Sequence, residues 1–132
     1  MVGSLGDVAF EVSDKMIRTI DGYRRSASAR IAQHEITGRK AISEFIGPSL
    51  ESISFQMKLS RQWGVVPERE LETLRKYRDE GEVLLFMLNN KVVGENKWLI
   101  ESIDESVDHF GMRGEILMVT VSVSLVEYVE RV

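Results

Sequence analysis

The sequence predicts an α+β fold dominated by strands: an antiparallel sandwich or barrel of about seven or eight strands with one helix packed on it. Three observations point there. Apolar and polar residues alternate with period two along several stretches. Turn-forming residues recur every ~8–12 residues, the spacing of sandwiches and barrels. A single segment, Pro67 to Glu80, carries helical rather than strand spacing.

The elements follow in order. Val8, Phe10 and Val12 share one face of a half-buried strand, and Ser13-Asp14 is a turn signal. Lys15 to Ile20 reads as its hairpin partner, closed by Asp21-Gly22. Tyr23-Arg24-Arg25-Ser26-Ala27-Ser28-Ala29-Arg30 is small, polar and basic, and is expected as an exposed loop. Ala29 to Thr37 makes a third strand ended by Gly38. Arg39 to Ile46 makes a fourth, broken by Gly47-Pro48. From Leu50 to Ser60 the alternation is cleanest: Ile53, Phe55, Met57 and Leu59 oppose Ser52, Ser54, Gln56 and Lys58.

After Trp63-Gly64 the period changes. Pro67 suits a first helical position, where its missing N–H would be unpaired anyway. Glu68, Glu70 and Glu72 crowd the positive end of the helix dipole. Leu71, Leu74 and either Tyr77 or Arg78 form one stripe, and Gly81 is the expected stop. Val83 to Leu88 is a continuous apolar run that fits a fully buried strand, turned back at Asn89-Asn90. Lys97 to Ile103 is another strand. Glu115 to Tyr128 is a long one, with Met118, Thr120, Ser122 and Ser124 on one face and Leu117, Val119, Val121, Val123 and Leu125 on the other.

The 132 residues fit one domain spanning 1–132. Composition excludes several classes. With no cysteine there are no disulfides and no thiolate metal ligands. A net charge of −4 argues against a sequence-independent nucleic-acid binder, which draws its affinity from basic residues. No apolar run approaches the ~18 residues of a membrane span, and the start lacks the pattern of a signal peptide.

Chemistry-bearing motifs are sparse. His34 and His109 lie in separate segments, each without a ligand-spaced partner. Asp104, Glu105 and Asp108 lie near His109 but read as a solvated acidic turn rather than a hard-metal site. Gly111-Met112-Arg113-Gly114 reads as a strand-joining turn rather than a backbone clamp on nucleic acid. No phosphate-binding loop and no nucleophile elbow is present. No catalytic residue, cofactor or metal is expected. Arg24, Arg25 and Arg30 fit a protein interface better than DNA, because the chain as a whole is acidic. Trp98 is expected in the core. Trp63 either anchors a partner or packs at the helix start.

Several pieces in sequence order resemble the tail-protein U family of temperate contractile-tailed bacteriophages. They are Gly3-Ser4-Leu5-Gly6-Asp7-Val8-Ala9-Phe10-Glu11-Val12, the run Arg30 to Lys40, and Glu44 to Phe55. Pro67-Glu68-Arg69-Glu70-Leu71 and Trp98-Leu99-Ile100-Glu101-Ser102-Ile103 complete the set. The resemblance covers almost the whole chain, departing at Leu84 to Glu95. It implies a tail-tube-like fold and a structural part in the virion tail, or in a phage-tail-like particle, made in the bacterial host cytoplasm. It implies a ring of copies of this chain, hexameric by analogy with other tail proteins, meeting the tail tube, tape-measure and baseplate hub proteins. No membrane, sequence-specific nucleic acid or catalysis is implied.

In such a ring Arg24, Arg25, Arg30 and Trp63 are candidate interface residues. Thr120, Ser122 and Ser124 are candidates to face a wet lumen. The rival placements are a terminator ring at the head-proximal end and, from another class, a small β-barrel that binds a ligand.

Overall fold

The computed structural model describes residues 3–6, 8–12, 17–18, 20–89 and 91–129. Among these are eleven strands, one 3-10 turn and one α-helix: β1 (Gly3–Leu5), β2 (Val8–Val12), β3 (Ile17–Arg18), β4 (Ile20–Ser26), β5 (Ala29–His34), β6 (Ile42–Pro48), β7 (Ser52–Ser60), the 3-10 turn (Arg61–Trp63), α1 (Pro67–Glu80), β8 (Phe86–Leu88), β9 (Lys91–Val92), β10 (Lys97–Phe110) and β11 (Ile116–Tyr128). The turn expected at Ser13-Asp14, the start of the strand expected from Lys15, and Asn90 lie outside the described residues. So does the burial of Val8, Phe10 and Val12.

The strands form three antiparallel sheets. One has five strands in the order β3-β2-β1-β8-β9, one has four in the order β10-β11-β7-β4, and among the described residues β5 pairs only with β6. The fold is consistent with the sandwich of the two expected forms, and the described residues form no closed barrel.

The four-stranded sheet is built on the two best alternating segments. Ile53, Phe55, Met57 and Leu59 of β7 face the same side as Val119, Val121, Val123 and Leu125 of β11, in register from Val119↔Leu59 to Leu125↔Ile53. All eight are buried, and Trp98 and Ile100 of β10 join them. Leu71, Leu74 and Tyr77 of α1 cover this face, with Leu5 and Phe86 of the five-stranded sheet. The Phe55 and Phe86 rings lie 5.6 Å apart across the layers.

The helix matches its sequence signals at both ends. Pro67 occupies the first turn, and Gly81 takes the left-handed conformation at φ 61, its N–H bonded to the Tyr77 carbonyl. Trp98 is fully buried, and its indole N–H donates to the Val93 carbonyl at 3.0 Å. Only glycine fits at Gly3, because a Cβ there would run into the Met87 carbonyl oxygen on the paired strand.

Several elements differ from expectation. The basic stretch from Tyr23 is no loop: Ile20 to Ser26 is the edge strand β4, paired to β7 from Ile20↔Met57 to Ser26↔Ser52. Its alternation is hidden because an edge strand needs little apolar surface and because a bulge interrupts it between Asp21 and Arg24. β6 runs through Gly47 and Pro48 instead of stopping there. A proline is tolerated because β6 has only one hydrogen-bonded neighbour.

The Val83 to Leu88 run is not one buried strand. Leu84 makes an isolated bridge to Trp98, Phe86 to Leu88 form a short strand, and Leu85 is exposed. β10 continues to Phe110, so Asp104, Glu105, Asp108 and His109 lie on a strand rather than in a turn. β10 is also an edge strand, and its bulges between Ile100 and Ser102 and around His109 break the period that sequence reading relies on. Leu117, expected on the packed face, is exposed near the start of β11.

Candidate assembly surface

One face of the four-stranded sheet is covered and the other is open. On the open face, cross-strand rows run Arg24–Ser54–Ser124–Ser102 and Asp21–Gln56–Ser122–Asp104, followed by Lys58–Thr120–Ser106 on the three longer strands. Thr120, Ser122 and Ser124 are half-buried by their neighbours, while Gln56, Lys58, Ser102, Asp104 and Ser106 are exposed. Hydroxyl and amide side chains on this face accept and donate to water, so the surface is stable wet. Thr120 donates its hydroxyl to Asp108 at 3.0 Å, tying β11 to the outer strand.

The two edges of this sheet differ in charge. β10 carries Glu101, Asp104, Glu105 and Asp108 after Lys97 at its start, whereas β4 carries Arg24 and Arg25 together with Asp21. Glu105 points to the covered side and accepts from Arg75 of the helix at 2.6 Å, so the acidic groups left on the outer side are Glu101, Asp104 and Asp108.

The three arginines singled out in the sequence do not converge. Arg24 is exposed and lies in the open-face row with Ser54. Arg25 points the other way, opposite Ile53, and donates to the Glu51 carboxylate at 2.6 Å. That hydrogen bond, with the nearby negative charge, holds the Arg25 guanidinium even more firmly protonated than usual. Glu127 extends the cluster: it accepts from the Glu51 N–H at 3.2 Å and from the Asn96 amide at 2.8 Å. Arg25 thus ties β4 to the start of β7 and the end of β11 within its own chain. Arg30 lies exposed on β5, beside a shallow depression with Pro48, Leu50 and Val129. Trp63 is half-buried in the 3-10 turn ahead of the helix.

A further anchor went unread in the sequence. Glu68, in the first turn of α1, accepts from the Ile116 N–H at 2.9 Å and from Arg61 at 2.6 Å. The Ile116 N–H, and then Arg61, hold its carboxyl below the usual range. First-turn acids are read as dipole partners, and nothing local announces a hydrogen bond to a strand 48 residues away.

Chemical groups are scattered by comparison. His34 lies on the exposed β5–β6 hairpin with Glu44 at 2.7 Å. His109 borders a shallow depression with Leu117 and Met118 on the far end of the sheet. Among the described residues, no three His, Cys, Asp or Glu side chains are grouped to hold a metal, and no helix is long and apolar enough to cross a membrane.

Comparison with known families supplies the decisive observation: the sequence profile described as Phage P2 GpU matches residues 6–130, nearly the full chain. The chain belongs to the Phage P2 GpU family. It is a phage tail-related structural protein. No curated protein matches it. Membership agrees with the ordered set of residues from Gly3 to Ile103 that pointed to the tail-protein U family. For a GpU-family chain, the surfaces to weigh are those that meet other tail components, and the open sheet face with its outer strands β10 and β4 comes first.

Proposed function

We propose that this GpU-family chain is a ring-forming tail subunit, six copies joining edge to edge through their four-stranded sheets, with the open hydroxyl-bearing face lining a wet channel. The observation that carries this reading is the even, fully antiparallel order β10-β11-β7-β4, whose outer strands run in opposite directions. When β4 of one copy meets β10 of the next, the new pair is again antiparallel, so the pattern repeats without a mismatch. The contact is heterologous, one patch meeting a different one, which is the kind that closes into rings.

Charge supports the same pairing. Arg24 on β4 faces an edge that carries Glu101, Asp104 and Asp108. Such complementarity favours the correct partner and opposes like edges, β10 against β10. Free edges of this kind invite further strands unless a partner covers them.

Size supports a channel. Six is the copy number that likeness to other tail rings implies. Six copies would supply about 24 strands, and at ~4.8 Å per strand with ~40° tilt the wall would measure about 50 Å across. Barrels above roughly 16 strands leave an aqueous interior, which suits Thr120, Ser122 and Ser124. The ring would join the tail tube and tape measure to the baseplate hub. It does so by contact alone, with no catalytic step and no cofactor.

Sedimentation of the purified protein over a range of concentrations, with symmetry read from electron micrographs, tests the reading. Discrete rings are expected, and Arg24→Glu should weaken them while leaving the monomer folded. Persistent monomers, or rings unaffected by Arg24→Glu, would count against edge pairing. Co-purification with tape-measure and hub proteins, rather than with a head connector, tests the hub-proximal placement.

A further inference from the structure

The β5–β6 hairpin stands apart from the sandwich. Its two strands pair with each other from Ala29↔Pro48 to His34↔Ile42. They touch the other described elements only glancingly. Of their residues only Gly47 is buried and only Ala32 half-buried. A two-stranded hairpin alone in water is marginal at best, and gains independent stability only with a third strand or a packed layer.

Its exposed residues are also the wrong kind for solvent. Ile31 and Phe45 are directly paired, so their side chains lie together on one face of the hairpin. They are 57% and 69% exposed. Ile46, the unpaired residue at the bulge next to Phe45, is exposed as well. Scattered apolar residues need no explanation, but a directly paired isoleucine and phenylalanine left in solvent on a protruding hairpin do.

We infer that this hairpin is an arm that lies on a neighbouring copy of the same chain, burying Ile31 and Phe45 there. The inference rests on the edge-paired ring proposed above and names what its junction contains. The occupant follows from where the arm is rooted. Only Ala27 and Ser28 separate the end of β4 from the start of β5. The hairpin therefore leaves the body at the free edge, and any copy that pairs along β4 must pass beside it.

Charge supports the same neighbour. Arg24, before the arm, and Arg30, at its base, are both exposed, while the strand that would arrive at β4 brings Glu101, Asp104 and Asp108. The arm thus adds an apolar contact to a junction that otherwise consists of backbone pairing and charge. Burying Phe45 and Ile31 would give it the apolar anchor on which stable interfaces depend.

The chain has no cysteine, so one introduced at Phe45 carries a unique photo-crosslinking label. In assembled wild-type-like rings, label at 45 should crosslink to a second copy, giving dimers on denaturing gels. Independently, Phe45→Thr with Ile31→Thr, which keeps a favourable cross-strand pair, should raise the concentration needed for half-assembly by at least about tenfold. Its monomer should unfold at an unchanged temperature, since both residues are exposed. Rings that form normally in the double variant, with crosslinks confined to one chain, would overturn the arm and leave edge pairing intact. Rings lost in Arg24→Glu but retained in the double variant would do the same. A wild-type protein that never assembles would overturn both.

Discussion

At the scale of single residues, two contacts hold distant parts of the chain together. Trp98 fills the centre of the core, its backbone bonded both ways to Leu84 and its indole N–H to Val93. Trp98→Ala removes the largest fully buried side chain, and should cost about 3–5 kcal/mol in urea or thermal unfolding. Glu68 bonds the helix start to β11. Its folded-state carboxyl titrates below its unfolded value, so its contribution is present above the ordinary carboxylate range and is lost as pH falls through the lowered value. Glu68 is partly exposed, which limits that contribution to about 1 kcal/mol or less. Glu68→Gln should therefore destabilise slightly at neutral pH and converge with the wild type in acid. Equal destabilisation at pH 7 and pH 3 would show that charge plays no part.

At the scale of elements, the two edge strands set the assembly. Among the described residues β10 and β4 each pair on one side only within their sheet; β10 is acidic, and β4 offers Arg24. Asp104→Lys should weaken self-association as Arg24→Glu does, while Arg24→Glu with Asp104→Lys should recover part of the loss, read by sedimentation at low salt. Added salt should blunt all three effects, because exposed charges are screened over about 10 Å at 0.1 M. No recovery in the double variant would mean that the two strands do not face each other.

Sequence legibility also divides by element. β7, β11 and α1 were readable because each buries one face fully, and burial imposes the period. β4 was not, and β10 was readable only over Lys97 to Ile103, because an edge strand with bulges satisfies its backbone with little apolar surface. The exposure of Arg24 and Arg30 was legible in the small, polar, basic stretch that holds them. That Arg25 serves its own chain through Glu51, 26 residues on, has no local signal.

At the scale of the molecule, the sandwich keeps all its packing on one side of the four-stranded sheet and leaves the other side wet. If that face lines a channel, a cysteine replacing Ser122 should react with a small maleimide equally fast before and after ring formation. If a partner instead seals the face, labelling should slow sharply on assembly.

The sequence alone determined the strand-rich class, the helix from Pro67 to Glu80 with its stop at Gly81, the two alternating strands of the core and kinship with phage tail proteins. Each of these is written in local periodicity, capping chemistry or ordered residue identity. Only the tertiary structure decided which strands lie at the edges, that β5 and β6 protrude as a pair, and which carboxylate each arginine meets. Those outcomes depend on contacts between residues far apart in the chain, where burial and pairing are set by what packs alongside rather than by neighbours in sequence.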